Sequence, residues 1–154
     1  MVRDEDFPRP VADADSEPFW RYCQAHELRI QRCTQCDWPR HYPRPRCPRC
    51  QSAAFEWARC RGTGVVASFT ICYPPVLPAF ADRVPYNVVV VELAEGPFIV
   101  SNLIDHRGDP IVGMAVEVCF IDVDDELTIP QFRPLVSDDR SPCGDESTAL
   151  QSVS

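Results

Sequence analysis

The sequence contains no lysine, so all 15 residues in the lysine-plus-arginine class are arginine. It has only three histidines, and it lacks any apolar run of about 18 residues, the length that a membrane-spanning helix needs. The N-terminal stretch MVRDEDFPRP is acidic and interrupted by proline, unlike a signal or transit peptide. These absences predict a cytoplasmic chain that makes no contact with a membrane.

The arginines are unevenly distributed in a chain whose net charge is −8. Residues 17–63 hold nine arginines against four acidic residues, whereas residues 64–133 hold ten acidic residues against three arginines. A guanidinium group binds phosphate or carboxylate through two parallel hydrogen bonds. The basic third of the chain is therefore a candidate surface for a phosphate-bearing ligand or an acidic partner, and an ordinary solvated face is the alternative.

Four of the nine cysteines form two Cys-x-x-Cys pairs within CTQCDWPRHYPRPRCPRC, residues 33–50. Two thiolates at this spacing can bind one ion, and two such pairs complete a tetrahedral site of the kind that zinc favours. Four cysteine ligands leave no open coordination position, so the metal is expected to stabilise the fold rather than to catalyse. The predicted ligands of this structural metal ion, Zn²⁺ or else iron, are Cys33, Cys36, Cys47 and Cys50.

The segment EPFWRYCQAHEL, residues 17–28, predicts an amphipathic helix, because apolar residues recur in it at helical spacing. A helix of about ten residues is too short to be stable alone. Its apolar face therefore packs either on the chain's own domain or on a partner protein. The candidate docking residues in the second case are Phe19, Trp20 and Tyr22.

After residue 60 the pattern changes to short β-strands separated by turn signals. Five strands are predicted, in RGTGVVASFTICY, YNVVVVEL, PFIVSNLI, VGMAVEVCFIDV and LTIPQFRP. The first and second are joined by a long proline-rich connection, PPVLPAFADRVP, which indicates a small Greek-key barrel of the OB type. The predicted organisation is a flexible arm at 1–16, a docking helix at 17–28, a zinc ribbon at 29–58, an OB-fold barrel at 59–134 and a disordered tail at 135–154.

Several separated motifs in this order resemble one family. They are PFW, LRIQRCTQCDWPRHYPRPRCPRC, FEWARCRGTGVVASFT, VPYNVVVVELAEGP, GMAVEVCF and PQFRP, and they cover residues 17–134. The family is that of acyl-CoA-associated proteins with a rubredoxin-like zinc ribbon followed by an OB fold, long described as a domain of unknown function. The resemblance implies a mainly β fold with an N-terminal helix, the zinc ribbon and the five-stranded barrel.

The resemblance also implies a non-catalytic accessory subunit of a thiolase-fold enzyme that acts on acyl-CoA thioesters. The partner would be a thiolase, a steroid side-chain retro-aldolase or a hydratase, and it would hold the catalytic residues in a hetero-oligomer. A CoA thioester would be shared between the two subunits. The arginines that are candidates for contact with CoA or with the partner are Arg40, Arg44, Arg46, Arg49, Arg59 and Arg61.

Two other function classes fit the residues less well. Zinc ribbons and OB folds both occur in nucleic-acid-binding proteins, but the strands of this barrel are acidic and lack alternating basic and aromatic residues. A self-sufficient enzyme is disfavoured because the sequence holds no nucleophile elbow, phosphate loop or open metal triad. We therefore expect an acyl-CoA partner system and no nucleic acid.

Overall fold

The computed structural model describes residues 8–135, which form one short α-helix, a three-stranded ribbon sheet and a curled five-stranded sheet. Within these residues no helix is long and apolar enough to cross a membrane. The predicted fold class is confirmed, while residues 1–7 of the predicted arm and 136–154 of the predicted tail lie outside the described chain. The elements are α1 (Glu17–Gln24), β1 (Arg29–Cys33), β2 (Pro39–Arg40), β3 (Phe55–Arg59), β4 (Thr63–Cys72), β5 (Tyr86–Leu93), β6 (Phe98–Ser101), β7 (Ala115–Asp122) and β8 (Thr128–Pro134).

Helix α1 has eight residues and is shorter than the predicted segment 17–28. It ends because His26 adopts a left-handed conformation, with φ of 54°. The His26 N–H donates to the Cys23 carbonyl at 2.8 Å, and the Glu27 N–H donates to the Tyr22 carbonyl at 2.9 Å. This pair of bonds is the Schellman arrangement that closes many helices, usually with glycine where this chain has histidine.

The side chain of His26 ties the end of α1 to the barrel. Its Nε2 lies 2.9 Å from Oδ1 of Asp122, and its ring stacks on Phe120 with a centroid separation of 5.3 Å. The Asp122 carboxylate also accepts a hydrogen bond of 2.6 Å from the Thr128 hydroxyl. Together, the Thr128 and His26 bonds hold the pKa of Asp122 below its ordinary value of 3.8.

The ribbon sheet has the strand order β2-β1-β3, with both pairs antiparallel. The central strand β1 leads into the cysteine-rich stretch and the edge strand β3 follows it, while the other edge strand, β2, has only two residues and is too short to leave a sequence pattern. Few apolar side chains are buried between Arg29 and Arg59, apart from Ile30 and the cysteines Cys33 and Cys47. A sheet with so small a core needs another source of stability.

The barrel sheet has the order β6-β5-β4-β7-β8, and each of its strands matches one of the five predicted ones. The two edge strands meet through Phe132, whose N–H donates to the Asn102 carbonyl at 3.0 Å and whose carbonyl accepts from the Ile104 N–H at 2.8 Å. These bonds curl the sheet into an OB-like half-barrel. Its interior side chains are Val66, Val89, Val91, Val116 and Phe132, all with at most 1% exposure.

Candidate functional site

The two Cys-x-x-Cys pairs fold into matching turns. In the first turn, the Asp37 N–H donates to the Cys33 carbonyl at 2.9 Å, and in the second the Gln51 N–H donates to the Cys47 carbonyl at the same distance. Asp37 and Gln51, each directly after the second cysteine of its pair, have nearly equal positive φ values of 63° and 64°. The two turns are therefore local copies of one conformation, which directs both cysteines of a pair toward the same point.

The four sulfur atoms converge on one site. All lie within 4.8 Å of one another, and the shortest separations are 3.5 Å between Sγ of Cys33 and Cys50 and 3.6 Å between Sγ of Cys36 and Cys47. A tetrahedral ion with metal–sulfur bonds of about 2.3 Å requires sulfur–sulfur edges of roughly 3.8 Å. The donor set and its spacing therefore fit a tetrathiolate metal ion.

The ionisation of these thiols also fits a cation. Burial raises the pKa of Cys47, but the backbone N–H groups of Cys50 and Arg49 and the neighbouring sulfurs outweigh it and lower the pKa to about 6. Burial and the neighbouring sulfurs instead raise the pKa of Cys36 to about 12. The site thus favours some thiolates but cannot hold all four without a positive ion, which a divalent metal supplies.

Arg40 is not an open contact residue, contrary to the interpretation of the sequence. Its side chain is 4% exposed, and its Nε donates to Oε1 of Gln31 at 2.6 Å. Its terminal nitrogen donates to the Arg44 carbonyl at 3.0 Å, and its guanidinium lies 5.1 Å from the centre of the Phe55 ring. Arg40 therefore shapes the loop that leads to Arg44 rather than binding a ligand at the surface.

The other five candidate arginines are exposed, and they divide between the ribbon and the segment at its end. Arg44, Arg46 and Arg49 belong to the ribbon, where Arg49 lies 5.4 Å from the ring centre of the half-exposed Trp38. The remaining two follow the ribbon: the guanidinium of Arg59 lies 3.6 Å from the Glu27 carboxylate, and the backbone N–H of Arg61 is bonded to Glu95. The exposed, basic part of the ribbon is thus carried by Arg44, Arg46 and Arg49, and we call these three the ribbon arginines.

The three aromatic residues of α1 that were candidates for docking also differ in how far they are exposed. Phe19 is 4% exposed and packs within the chain's own core, so it is unavailable to a partner. Trp20 and Tyr22 are half-buried: Trp20 contacts Phe19 edge to face, and Tyr22 lies beside Trp57 and under the guanidinium of Arg29. The alternative in which the helix packs on its own domain therefore accounts for Phe19.

His41, between the two cysteine pairs, is partly buried against aromatic rings and does not belong to an open basic face. Its ring lies 5.1 Å from that of Phe19 and 4.1 Å from that of Tyr42, and its Nδ1 is buried without a hydrogen-bond partner in the described chain. Burial lowers the pKa of His41 to about 4. The sequence offered no signal for this, because a histidine in a proline- and arginine-rich loop is usually solvated.

The depressed pKa of His41 predicts a pH-dependent stability. In the unfolded chain His41 takes up a proton near pH 6.5, whereas in the folded chain it does so only near pH 4. The contribution of His41 to the free energy of unfolding is therefore fully present above pH 6.5 and is lost as the pH falls toward 4. We expect the free energy of unfolding to drop by about 2 kcal/mol between pH 7 and pH 5 because of this group.

Replacing the histidine by an aromatic ring without a titrating group, in His41→Phe, should flatten this dependence. Urea unfolding of the metal-loaded protein at pH 5, 6 and 7 measures it. Both proteins keep the same four cysteines, so loss of metal at the lower pH affects them equally. Parallel slopes for wild type and His41→Phe would contradict the burial of a neutral imidazole.

Comparison with known proteins places the two sheets in one family. Residues 20–56 match the family model of the rubredoxin-like zinc ribbon domain of ChsH2, and residues 57–120 match that of the ChsH2 C-terminal OB-fold domain. A DUF35 domain-containing scaffold protein of Methanothermobacter thermautotrophicus is 33% identical over 110 residues, which cover 70% of this chain and 82% of that protein. The chain belongs to the DUF35 family.

Two further proteins are similar to this chain: one is a longer subunit, and the other is a chain of a solved structure. A probable enoyl-CoA hydratase alpha subunit of Thermomonospora curvata is 39% identical over 135 residues, 87% of this chain but 42% of that protein. The chain thus spans about two fifths of the length of that relative. A chain of the solved Ltp2-ChsH2(DUF35) aldolase is 40% identical with a TM-score of 0.76, and the match covers 83% of this chain and 100% of that one.

Proposed function

We propose that this DUF35 chain is a non-catalytic accessory subunit of a thiolase-fold enzyme that acts on acyl-CoA thioesters, as a retro-aldolase of the steroid side-chain type or a thiolase. The observation that carries the proposal is its match, over the full length of the matched chain, to a component of the Ltp2-ChsH2(DUF35) aldolase. The alpha-subunit relative from Thermomonospora curvata supports the same kind of assembly.

The chemistry of the described residues supports a role without catalysis. The group of potential metal ligands found among residues 8–135 consists of four cysteines, a donor set that fills a tetrahedral ion and leaves no position for substrate. Each of the three histidines has another role in the fold. His26 contacts Asp122, His41 is enclosed so that burial lowers its pKa to about 4, and His106 lies 3.1 Å from the Asp109 carbonyl.

The structural zinc would be held by the four clustered cysteines, Cys33, Cys36, Cys47 and Cys50. When bound, the ion supplies a cross-link between the two ends of the ribbon in place of a hydrophobic core. The protein's own contribution is the pair of matched turns, which aim the thiols and donate N–H groups to the sulfurs of Cys33 and Cys47. The ribbon so fixed presents its exposed arginines at a constant geometry.

The ribbon arginines are the part of our proposal that concerns CoA. Arg44, Arg46 and Arg49 are exposed, and none of them forms a salt bridge among the described residues. Guanidinium groups without an internal carboxylate can bind the phosphates of CoA or the acidic surface of the catalytic subunit. Arg40 positions the first of them through its bond to the Arg44 carbonyl.

Co-expression with a thiolase-fold protein encoded beside this chain tests the proposal. We expect the purified chain alone to show no cleavage or condensation of acyl-CoA thioesters, and the two proteins to co-purify as a complex that does. The measurement is thioester turnover, followed through free CoA, combined with size-exclusion chromatography, and the partner alone is the control. Turnover by the isolated chain, or a failure of the two proteins to associate, would refute the accessory role.

A further inference from the structure

Strands β6 and β8 flank a seam where the half-barrel is open. Within residues 8–135, β6 pairs with β5 along one edge, and its other edge meets β8 through the bonds of Phe132 to Asn102 and Ile104. Continuing this parallel ladder by two residues brings Ser101 opposite Pro130, whose carbonyl accepts a hydrogen bond of 2.8 Å from the Ser101 hydroxyl, and the next backbone bond would run from the Pro130 nitrogen to the Val100 carbonyl. Pro130 has no N–H to donate, so the ladder stops there.

The backbone of Val100 faces this seam. Leu93 donates to the Pro97 carbonyl across β5 and β6, and Phe132 donates to the Asn102 carbonyl from the opposite side. In an antiparallel pair the hydrogen-bonding direction alternates along the strand, so residues 97, 99 and 101 face β5 and residues 98, 100 and 102 face away. Neither the N–H nor the C=O of Val100 has a partner elsewhere in the described chain.

The seam opens into an apolar groove of about 470 Å³. Strands β6 and β8 form one wall, with Val100, Ile129 and Pro130, while α1 and the ribbon form the other, with Trp20 and Tyr42. Val100 and Tyr42 are about half exposed, with 51% and 54% of their surface open. The walls therefore offer apolar side chains on both sides of an unpaired strand edge.

The polar groups of the groove limit what can fill it. Within the described chain, Asp13 is the one charged residue among those that line the groove, since burial lowers the pKa of His41, which also lines it, to about 4. The seam thus offers the N–H donor and the C=O acceptor of Val100, an apolar surface and one negative charge. A peptide in extended conformation carries the complementary acceptor and donor at the matching spacing, whereas a small apolar molecule would leave them unpaired.

We propose that the groove receives an extended segment of the catalytic subunit, which adds as a strand to β6 and pairs with the backbone of Val100. This inference rests on the proposed function, because it concerns how the partner of that assembly is held. The four residues of β6 extend over about 13 Å, so the segment needs four to five residues in contact. Its side chains are apolar toward Trp20 and Tyr42, with one basic residue opposite Asp13.

Val100→Pro tests strand addition, because it removes the outward N–H without breaking a bond between β5 and β6. Val100→Thr is the matched control, since it keeps the N–H and a β-branched side chain. With the co-purified thiolase-fold subunit as the probe, we expect Val100→Pro to weaken binding at least about tenfold, the equivalent of one hydrogen bond, and Val100→Thr to stay within about threefold. Titration calorimetry measures both, and circular dichroism checks that each variant keeps its fold.

Hydrogen exchange on the wild-type chain gives a second reading that needs no variant. We expect the Val100 amide to exchange at least about tenfold more slowly in the complex than in the free chain. A complex that tolerates Val100→Pro and leaves this amide unprotected would overturn the strand addition while the accessory role stands. Self-association of the chain that is lost in Val100→Pro would identify a second copy as the occupant, and the absence of any complex would defeat the proposed function itself.

Discussion

Replacing Cys47 with serine is expected to release the metal and unfold the ribbon while the barrel stays folded. Cys47 is fully buried, and the ribbon between Arg29 and Arg59 has little apolar core beside its cysteines. Zinc binding to small four-ligand sites supplies apparent free energies of about 10–16 kcal/mol, most of which becomes folding energy where the hydrophobic core is small. Loss of one of four thiolates therefore removes the main interaction that holds the two turns together.

The barrel should survive because its core is made of its own strands. Val66, Val89, Val91 and Val116 are buried within the five-stranded sheet and make no use of the cysteines. We expect the metal content to fall from one ion per chain to nearly none, and the amides of residues 29–59 to lose protection from hydrogen exchange while those of β5 and β7 keep it. Elemental analysis and exchange measured by NMR report the two effects separately.

Cys60→Ser is the matched control for this experiment. Cys60 is also a buried thiol, but it lies outside the sulfur cluster, and burial together with Glu95 raises its pKa to about 12. A hydroxyl can keep the contact with Glu95, so this variant should retain the metal and the ribbon. A metal-free Cys47→Ser protein with an unchanged thermal transition, or equal losses in both variants, would contradict a metal-dependent ribbon.

The sequence predicted those parts of the fold that depend on local pattern. The barrel strands were found because β-branched runs such as YNVVVVEL are separated by turn signals, among them Gly96 with a φ of 103°. The cysteine cluster was found because two-residue spacing lets neighbouring thiols reach one ion. In both cases the residues that carry the signal lie within a few positions of one another.

The parts that were missed depend on contacts between distant segments. A charged residue is expected at the surface, and Arg40 is buried only because Gln31, the Arg44 carbonyl and the Phe55 ring surround it. The end of α1 was placed too late because its left-handed closing residue is His26, whereas glycine would have marked it. The seam did have a signal, since Pro130 inside a predicted strand marks an edge where pairing stops.

Phe132→Ala is expected to destabilise the barrel by about 3–5 kcal/mol, the usual cost of deleting a fully buried phenylalanine ring. The Phe132 side chain has no exposed surface, and its backbone makes the two bonds through which β8 meets the segment after β6. Pro130 prevents the ladder from continuing, and the Phe132 ring packs in the core with Ile99 and Leu103, on and just after the opposite edge strand. The removal of the ring should therefore also loosen the seam, with faster exchange at the Ile104 amide.

Phe98→Ala is the control, because Phe98 lies on β6 with 52% of its surface exposed and should cost no more than about 0.5 kcal/mol. Urea unfolding of the metal-loaded proteins measures both changes, and the zinc-ribbon transition serves as an internal reference. If the two variants lost equal stability, Phe132 would not be closing the barrel. If Phe132→Ala weakened partner binding while Phe98→Ala did not, closure at Phe132 would be linked to the shape of the open seam two residues earlier.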